Sequence, residues 1–161
     1  MRLEQLGFKR VIDYVPGKQA WFEENQPREG KVADELWVGD LADDSIPTCK
    51  SDERIGDLIE RIQADGRDTC VVVDEDRVVL GLLRKKALAA APDSTAGQVM
   101  DPGPKTFRPN VTLQELLQSQ RDHDIRTNSL VTTLDGRLVG VISRADAETT
   151  LAHEEAEKGT Q

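Results

Sequence analysis

The sequence predicts an α+β protein of two similar modules, each a strand, a helix, two hairpin strands and a helix, packed on each other behind a separate N-terminal arm. The first observation is a repeat: Gly-Leu-Leu-Arg-Lys-Lys-Ala starts at residue 81 and Gly-Val-Ile-Ser-Arg-Ala-Asp at residue 140, 59 positions on. The second is that each copy follows one amphipathic helical stretch and two β-type runs, so both hold the same elements in the same order. The third is size. A chain of 161 residues has room for two modules of roughly 60 residues, each marginal alone and therefore expected to share an interface.

The arm, residues 1–30, lies outside the repeat. Phe8, Val11, Ile12 and Tyr14 form a strand-like run broken at Pro16-Gly17, and Gln19 to Glu24 suit a short helix ended by Pro27. Tyr14, Trp21, Phe22 and Phe8 are four of the chain's six aromatic residues, so the arm is expected to dock on the modules. Residues 28–35 read as a linker. The first repeat, 36–91, places Ile55, Leu58, Ile59 and Ile62 on one helical face. Asp65-Gly66 stops that helix, and Cys70–Val73 and Val78–Leu83 read as strands paired around Asp74-Glu75-Asp76. A second helix starts near Arg84 and ends before Pro92.

The second repeat, 95–150, opens with the rigid turn Asp101-Pro-Gly-Pro104 and a short strand at Thr106-Phe107, whose counterpart in the first copy is Thr48-Cys49. Thr112-Leu-Gln-Glu115 is a capping-box signature, and Leu113, Leu116 and Leu117 give its helix an apolar face. Asp135-Gly136 predicts a two-residue hairpin turn between Leu130–Leu134 and Arg137–Ile142, because both positions accept positive φ. The last helix starts near Ser143 and is expected to fray after His153, leaving 151–161 as a tail.

Charge narrows the partners. With 21 Lys+Arg against 30 Asp+Glu the net charge is −9, which disfavours nucleic acid and anionic membranes. Cys49 and Cys70 sit in apolar runs without a Cys-x-x-Cys pattern and read as buried reduced thiols, with a disulfide or a reactive thiol as the alternatives. The N-terminus lacks an apolar signal core and no stretch approaches a membrane span, so a cytoplasmic protein is expected. His123 and His153 have no metal-ligand spacing, and no phosphate loop or nucleophile elbow is present, so neither catalysis nor a metal site is expected.

The order of elements, Val38-Gly-Asp-Leu41 before one copy, Gln98-Val-Met-Asp101 before the other, and above all Gly140-Val-Ile-Ser-Arg-Ala-Asp146 resemble a tandem pair of cystathionine β-synthase (CBS) domains over residues 36–150. The resemblance implies non-catalytic modules packed sheet to sheet, with adenine nucleotides or related adenosyl ligands in the clefts between them. It implies nucleotide-binding roles for Ser143 toward phosphate or ribose, Asp146 toward the ribose hydroxyls, Thr106 and Phe107 toward the adenine edge, and Arg126 toward phosphate, with Arg144 also among the nucleotide-binding residues. The arm, through Leu6-Gly-Phe-Lys-Arg-Val11, Gly17, Ala20-Trp21 and Pro27, resembles the closing segment of a rhodanese domain. The sulfur-carrying cysteine of a rhodanese precedes that segment, so the arm is expected to be non-catalytic.

The residues themselves support two accounts. Ser143 lies where a strand meets a helix, and its hydroxyl and the free N–H groups after it form a spot that attracts phosphate, with Asp146 one turn on able to accept from a ribose cis-diol. Alternatively, Ser143-x-x-Asp146 is a helix cap worth about 1 kcal/mol without any ligand. Arg126 is a phosphate contact or a solvated charge. In the first repeat Arg84 and Ala87 replace Ser143 and Asp146, so the ribose carboxylate is missing there. Arg84, Lys85 and Lys86 are a solvated basic patch or, alternatively, help hold phosphates bound through the second repeat. The function expected is a regulatory module that binds AMP, ADP, ATP or S-adenosylmethionine and modulates a partner. The alternative is a ligand-free dimerisation and partner-binding scaffold. Surplus apolar residues on the helices at Ile55 and Leu113 predict a homodimer.

Overall fold

The computed structural model describes residues 2–12, 14–24, 26–30, 35–64, 66–125 and 128–158. The elements run α1 (Arg2–Gln5), α2 (Gly17–Glu23), α3 (Val38–Leu41), β1 (Thr48–Cys49), α4 (Ile55–Ala64), β2 (Cys70–Val73), β3 (Val79–Leu83), α5 (Lys85–Leu88), α6 (Ala96–Val99), β4 (Asp101–Pro102), β5 (Thr106–Phe107), α7 (Leu113–Asp122), β6 (Ser129–Thr132), β7 (Leu138–Ile142) and α8 (Arg144–Lys158).

The repeat of 59 holds down to hydrogen-bond register. In the first sheet Cys70 pairs with Leu83 and Val72 with Gly81; in the second Ser129 pairs with Ile142 and Val131 with Gly140. The parallel edges match as well, with β1 on β2 and β5 on β6. Strand alternation then sends successive side chains to opposite faces. Val71, Val73 and Leu82 meet Leu130, Leu138 and Val141 in a core between the two sheets, closed by Ile46. Cys70, Val72 and Leu83 face the other way, onto Ile55, Leu58 and Ile62 of α4. Val131 and Ile142 face Leu113, Leu116 and Leu117 of α7. The two modules thus pack sheet to sheet with helices outside.

The segments that lead into the two repeats cross over. Residues 36–43, at the head of the first repeat, pack on the second: the Val38 and Gly39 N–H groups donate to Val111 O and Pro109 O, and Asp43 exchanges both backbone bonds with Val141 at 2.8 and 2.9 Å. Residues 94–102 pack on the first: Ala96 and Gly97 donate to Glu53 O and Ser51 O, and β4 pairs with β3. Each module's outer sheet edge is therefore supplied by the lead-in to the other.

Several expectations change. The strand-like run in the arm forms no strand, because no neighbouring strand offers it hydrogen bonds; a one-turn α1 appears ahead of it. Ile55, Leu58, Ile62, Leu113, Leu116 and Leu117 are all buried inside the chain, which leaves Ile59, half-buried beside Leu88 in a surface groove, as the apolar residue of the predicted α4 face that reaches the surface. Asp135 does not take positive φ; only Gly136 does, at +83°. The turn needs a single left-handed residue because Thr133 N–H bonds Arg137 O and Gly136 N–H bonds Thr133 O, making a wider loop. The last helix continues to Lys158, carried past His153 by alanine and glutamate, both good helix formers. Asp65 of the first helix stop lies outside the described residues.

At the matching turn of the first hairpin the left-handed position is filled by Arg77, at φ +63° and exposed. Holding a non-glycine residue there costs roughly 1–2 kcal/mol, partly offset by the unfolded-state freedom that glycine adds. Arg77→Gly should therefore stabilise the protein by about 0.5–1 kcal/mol, read as a Tm rise of roughly 1–4 °C.

Both thiols are free and buried. They face one another in the outer core of the first sheet, where the shared hydrogen bond and burial push the Cys70 thiol well above its ordinary value.

The arm docks in part. Phe22 packs on Trp37 with ring centroids 4.7 Å apart, the Arg28 guanidinium covers the Phe22 ring, and the Glu23 carboxylate accepts from Leu134 N–H at the tip of the second hairpin.

Candidate functional site

Ser143 stands at the end of β7 and Asp146 in the first turn of α8, so both sit where a sheet edge passes into a helix N-terminus. The Ser143 hydroxyl donates to Asp146 Oδ2 at 2.6 Å, and Asp146 N–H donates back to Ser143 Oγ at 3.0 Å. The four residues thus form a closed cap. The N–H groups of Arg144 and Ala145 are left without helical acceptors, as at any helix start. A ligand hydroxyl or phosphate would enter by exchanging with the Ser143–Asp146 bond.

Beside this cap lies a shallow, open cleft with a cavity volume of ≈ 80 Å³, lined by Leu41, Asp43, Val141, Ser143, Asp146 and Thr150, among others. Leu41 and Asp43 come from the crossed-over lead-in, so the cleft exists only because residues 36–43 pair with β7. The Asp43 carboxylate accepts from Ser45 N–H and Oγ at 2.9 and 2.6 Å and from Arg67 at 2.6 Å. Those bonds hold its carboxyl down at about 2. The value lies below that of an unfolded aspartate, near 3.9, so the contact contributes in full above about pH 4 and is lost as the pH falls toward 2. Asp43→Asn should remove that part of the acid sensitivity, measured as a flatter dependence of Tm on pH between 5 and 2.

The structure brings together only two of the residues that the resemblance implied. Arg144 turns from the cleft to Glu148 at 2.8 Å and to Ile125 O. Thr106 and Phe107 lie on β5, two strands from β7, and Phe107 is buried in the α7 core under the Lys105 ammonium. Arg126 lies outside the described residues. Arg84 lines the corresponding cleft of the first module with Lys86, Ala87, Val99 and Asp101, and Lys85 lines a groove with Ile59, Gln63 and Arg67. None of the three basic residues at 84–86 borders the Ser143 cleft.

In that first cleft the Arg84 guanidinium pairs with Asp101 at 2.5 Å. Asp101 holds the place that Asp43 holds in the second, 58 positions earlier in the chain. The polar groups that the sequence did not single out are Asp43, Ser45 and Arg67. A signal for Arg67 was present, since it aligns with Arg126 across the repeat of 59.

Among the described residues no group of three or more His, Cys, Asp or Glu side chains is placed to hold a metal, and no helix is long and apolar enough to cross a membrane.

The CBS domain family model matches residues 38–94 and 96–152. Three solved structures share the fold. The cytosolic domain of the Mg2+ channel MgtE in complex with ATP is 21% identical with a TM-score of 0.65, over 74% of this chain and 51% of that one, so this chain spans about half of its length. CBSX2 in complex with AMP is 18% identical, TM-score 0.66, over 74% of this chain and 98% of that one. The CBS domain pair of protein MJ0100 in complex with 5′-methylthioadenosine and S-adenosyl-L-methionine is 16% identical, TM-score 0.64, with the same coverages. Two consecutive family matches, laid over two modules related by an offset of 58 to 59 and joined through their sheets, place this chain in the CBS domain family as a tandem pair.

Proposed function

We propose that this chain is a non-catalytic regulatory module whose second-repeat cleft binds an adenine nucleotide or adenosyl ligand, and whose ligand state modulates a partner protein. The observation that carries the reading is the position of Ser143 and Asp146 at one helix start, on the same cleft as the lead-in residues Leu41 and Asp43. The AMP, ATP and S-adenosylmethionine complexes of the related CBS structures supply the ligand class. A ribose cis-diol would take the Asp146 carboxylate, phosphate would meet the N–H groups of Arg144 and Ala145 at the positive end of α8, and the apolar walls would cover the base. A bound ligand bridges the crossed-over segment and α8, which belong to distant parts of the chain, and this gives it a handle on shape.

Calorimetric titration with AMP, ADP, ATP and S-adenosylmethionine tests the reading. At least one is expected to bind with one site per chain, and Asp146→Ala should weaken it at least tenfold, about 1.4 kcal/mol. Absence of binding by all four, or an unchanged affinity in Asp146→Ala, would leave the scaffold reading, which the closed Ser143–Asp146 cap favours.

A further inference from the structure

Two of the residues that line the Ser143 cleft are ionisable, and both are carboxylates: Asp43 from the crossed-over lead-in and Asp146 from α8. Among the described residues no Lys or Arg lines it. The cations nearby are engaged elsewhere. Arg67 donates to Asp43 Oδ2 and Ser45 Oγ at 2.6 and 2.8 Å. It opens onto the groove of Ile59 and Leu88, however, so what the cleft meets is the Asp43 carboxylate and not the guanidinium. Arg144 is drawn away to Glu148 and Ile125 O, and Arg84 to Asp101 in the other cleft.

What this cleft offers a 5′ phosphate is the start of α8, where free N–H groups attract anions. Asp146 already takes up part of that attraction, since its carboxylate sits in the same first turn and is closed onto Ser143. Asp43 adds a second negative charge. Its carboxyl, held at about 2 by the Ser45 and Arg67 bonds, is ionised throughout the neutral range. The cleft is small, ≈ 80 Å³, so both charges act on whatever occupies it. Each phosphate on the 5′ carbon of an adenosine brings charge of the same sign, a thioether brings none, and a sulfonium brings the opposite sign. The net charge of −9 on the whole chain acts in the same direction at longer range.

We propose that Asp43 and Asp146 make this a cleft for adenosine with a cationic or uncharged 5′ substituent, a sulfonium or a thioether, in preference to the adenosine phosphates, with Asp43 as the specificity-determining residue. The inference rests on the adenosyl-binding reading above and narrows it. Affinity falls in the order S-adenosylmethionine, 5′-methylthioadenosine, AMP, ATP. Because the cleft is open to solvent, salt screens the discrimination.

Calorimetric titration of the full chain with these four compounds, at low and at high salt, tests it. At low salt ATP is expected to bind about tenfold or more weakly than S-adenosylmethionine, and the gap should narrow as salt is added. Asp43→Asn removes the carboxylate and leaves Arg67 without its counter-charge, so the ratio of the two dissociation constants should fall by about threefold or more. Arg67→Ala leaves Asp43 unneutralised and should raise that ratio, while melting curves confirm that both variants fold. AMP or ATP binding as tightly as S-adenosylmethionine, or a ratio that neither variant moves, would overturn the proposal and leave the adenosyl reading standing. Failure of all four compounds to bind would overturn both.

Discussion

Gly140→Val is expected to destabilise the protein by about 3 kcal/mol or more, a Tm loss on the order of 6–12 °C. A Cβ at position 140 would stand 2.7 Å from Asp43 O, 2.9 Å from Asp43 C and 3.0 Å from Ala42 Cβ. The first two are backbone atoms, which cannot swing aside as a side-chain end can. The lead-in strand must therefore move off β7, giving up both Asp43–Val141 hydrogen bonds, each worth about 1 kcal/mol net, with more for any group left buried and unpaired. Ile46, three residues on and 5% exposed, would lose part of its seat in the core between the sheets. Because Asp43 and Leu41 also wall the cleft, the same change should abolish ligand binding at temperatures where the protein is still folded. A Tm within 2 °C of the wild type would show that residues 42–43 are not held on β7.

The modules were legible because the repeat is exact where geometry is strict. Hairpin register, the parallel short strand and the face of each long helix all follow from period-2 and period-3.6 patterning, and both copies carry it, the hairpins at an offset of 59 and the short strands and long helices at 58. The crossing of the lead-ins was not legible. Val38–Leu41 and Ala96–Val99 are each a single helical turn, and nothing local in such a segment says which of two equivalent sheet edges it will complete. That choice hid Asp43 from the sequence reading of the cleft, since only the crossing sets it beside Ser143. The arm was misread for a related reason: β-branched and aromatic residues at Phe8, Val11 and Ile12 favour a strand only where another strand is available to pair with. Helical periodicity reports which residues of α4 and α7 are apolar, while the amount of core they must fill is fixed by the partner sheet and its lead-in, so counting apolar residues does not decide whether these helices meet a second copy.

On the proposed function, with one ligand per chain at the second cleft, converting the first cleft into a copy of the second is expected to raise the stoichiometry of AMP to two per chain. In the wild type, Arg84 is the N-cap of α5 with no side-chain cap bond, and its guanidinium is drawn to Asp101 at 2.5 Å. Both side chains are about half exposed, 46% and 60%, so losing the pair costs at most about 1 kcal/mol. Serine at 84 can cap the helix, which returns a similar amount. Aspartate at 87 restores the carboxylate one turn on, where Ala87 now offers nothing to a ribose, and the helix start favours a negative charge there. Arg84→Ser with Ala87→Asp should therefore melt within a few degrees of the wild type yet bind a second AMP, while Asp146→Ala in that background should return the count to one. AMP is the right probe because the exchange removes a positive charge and adds a negative one, which penalises ligands with more phosphates. Two sites in the wild type would show that the Arg84–Asp101 pair does not close the first cleft. A single site in the double variant would show that the helix-start constellation alone does not make a site, and that the difference between Asp101 with its Arg84 partner and Asp43 with Ser45 and Arg67 decides which cleft is used.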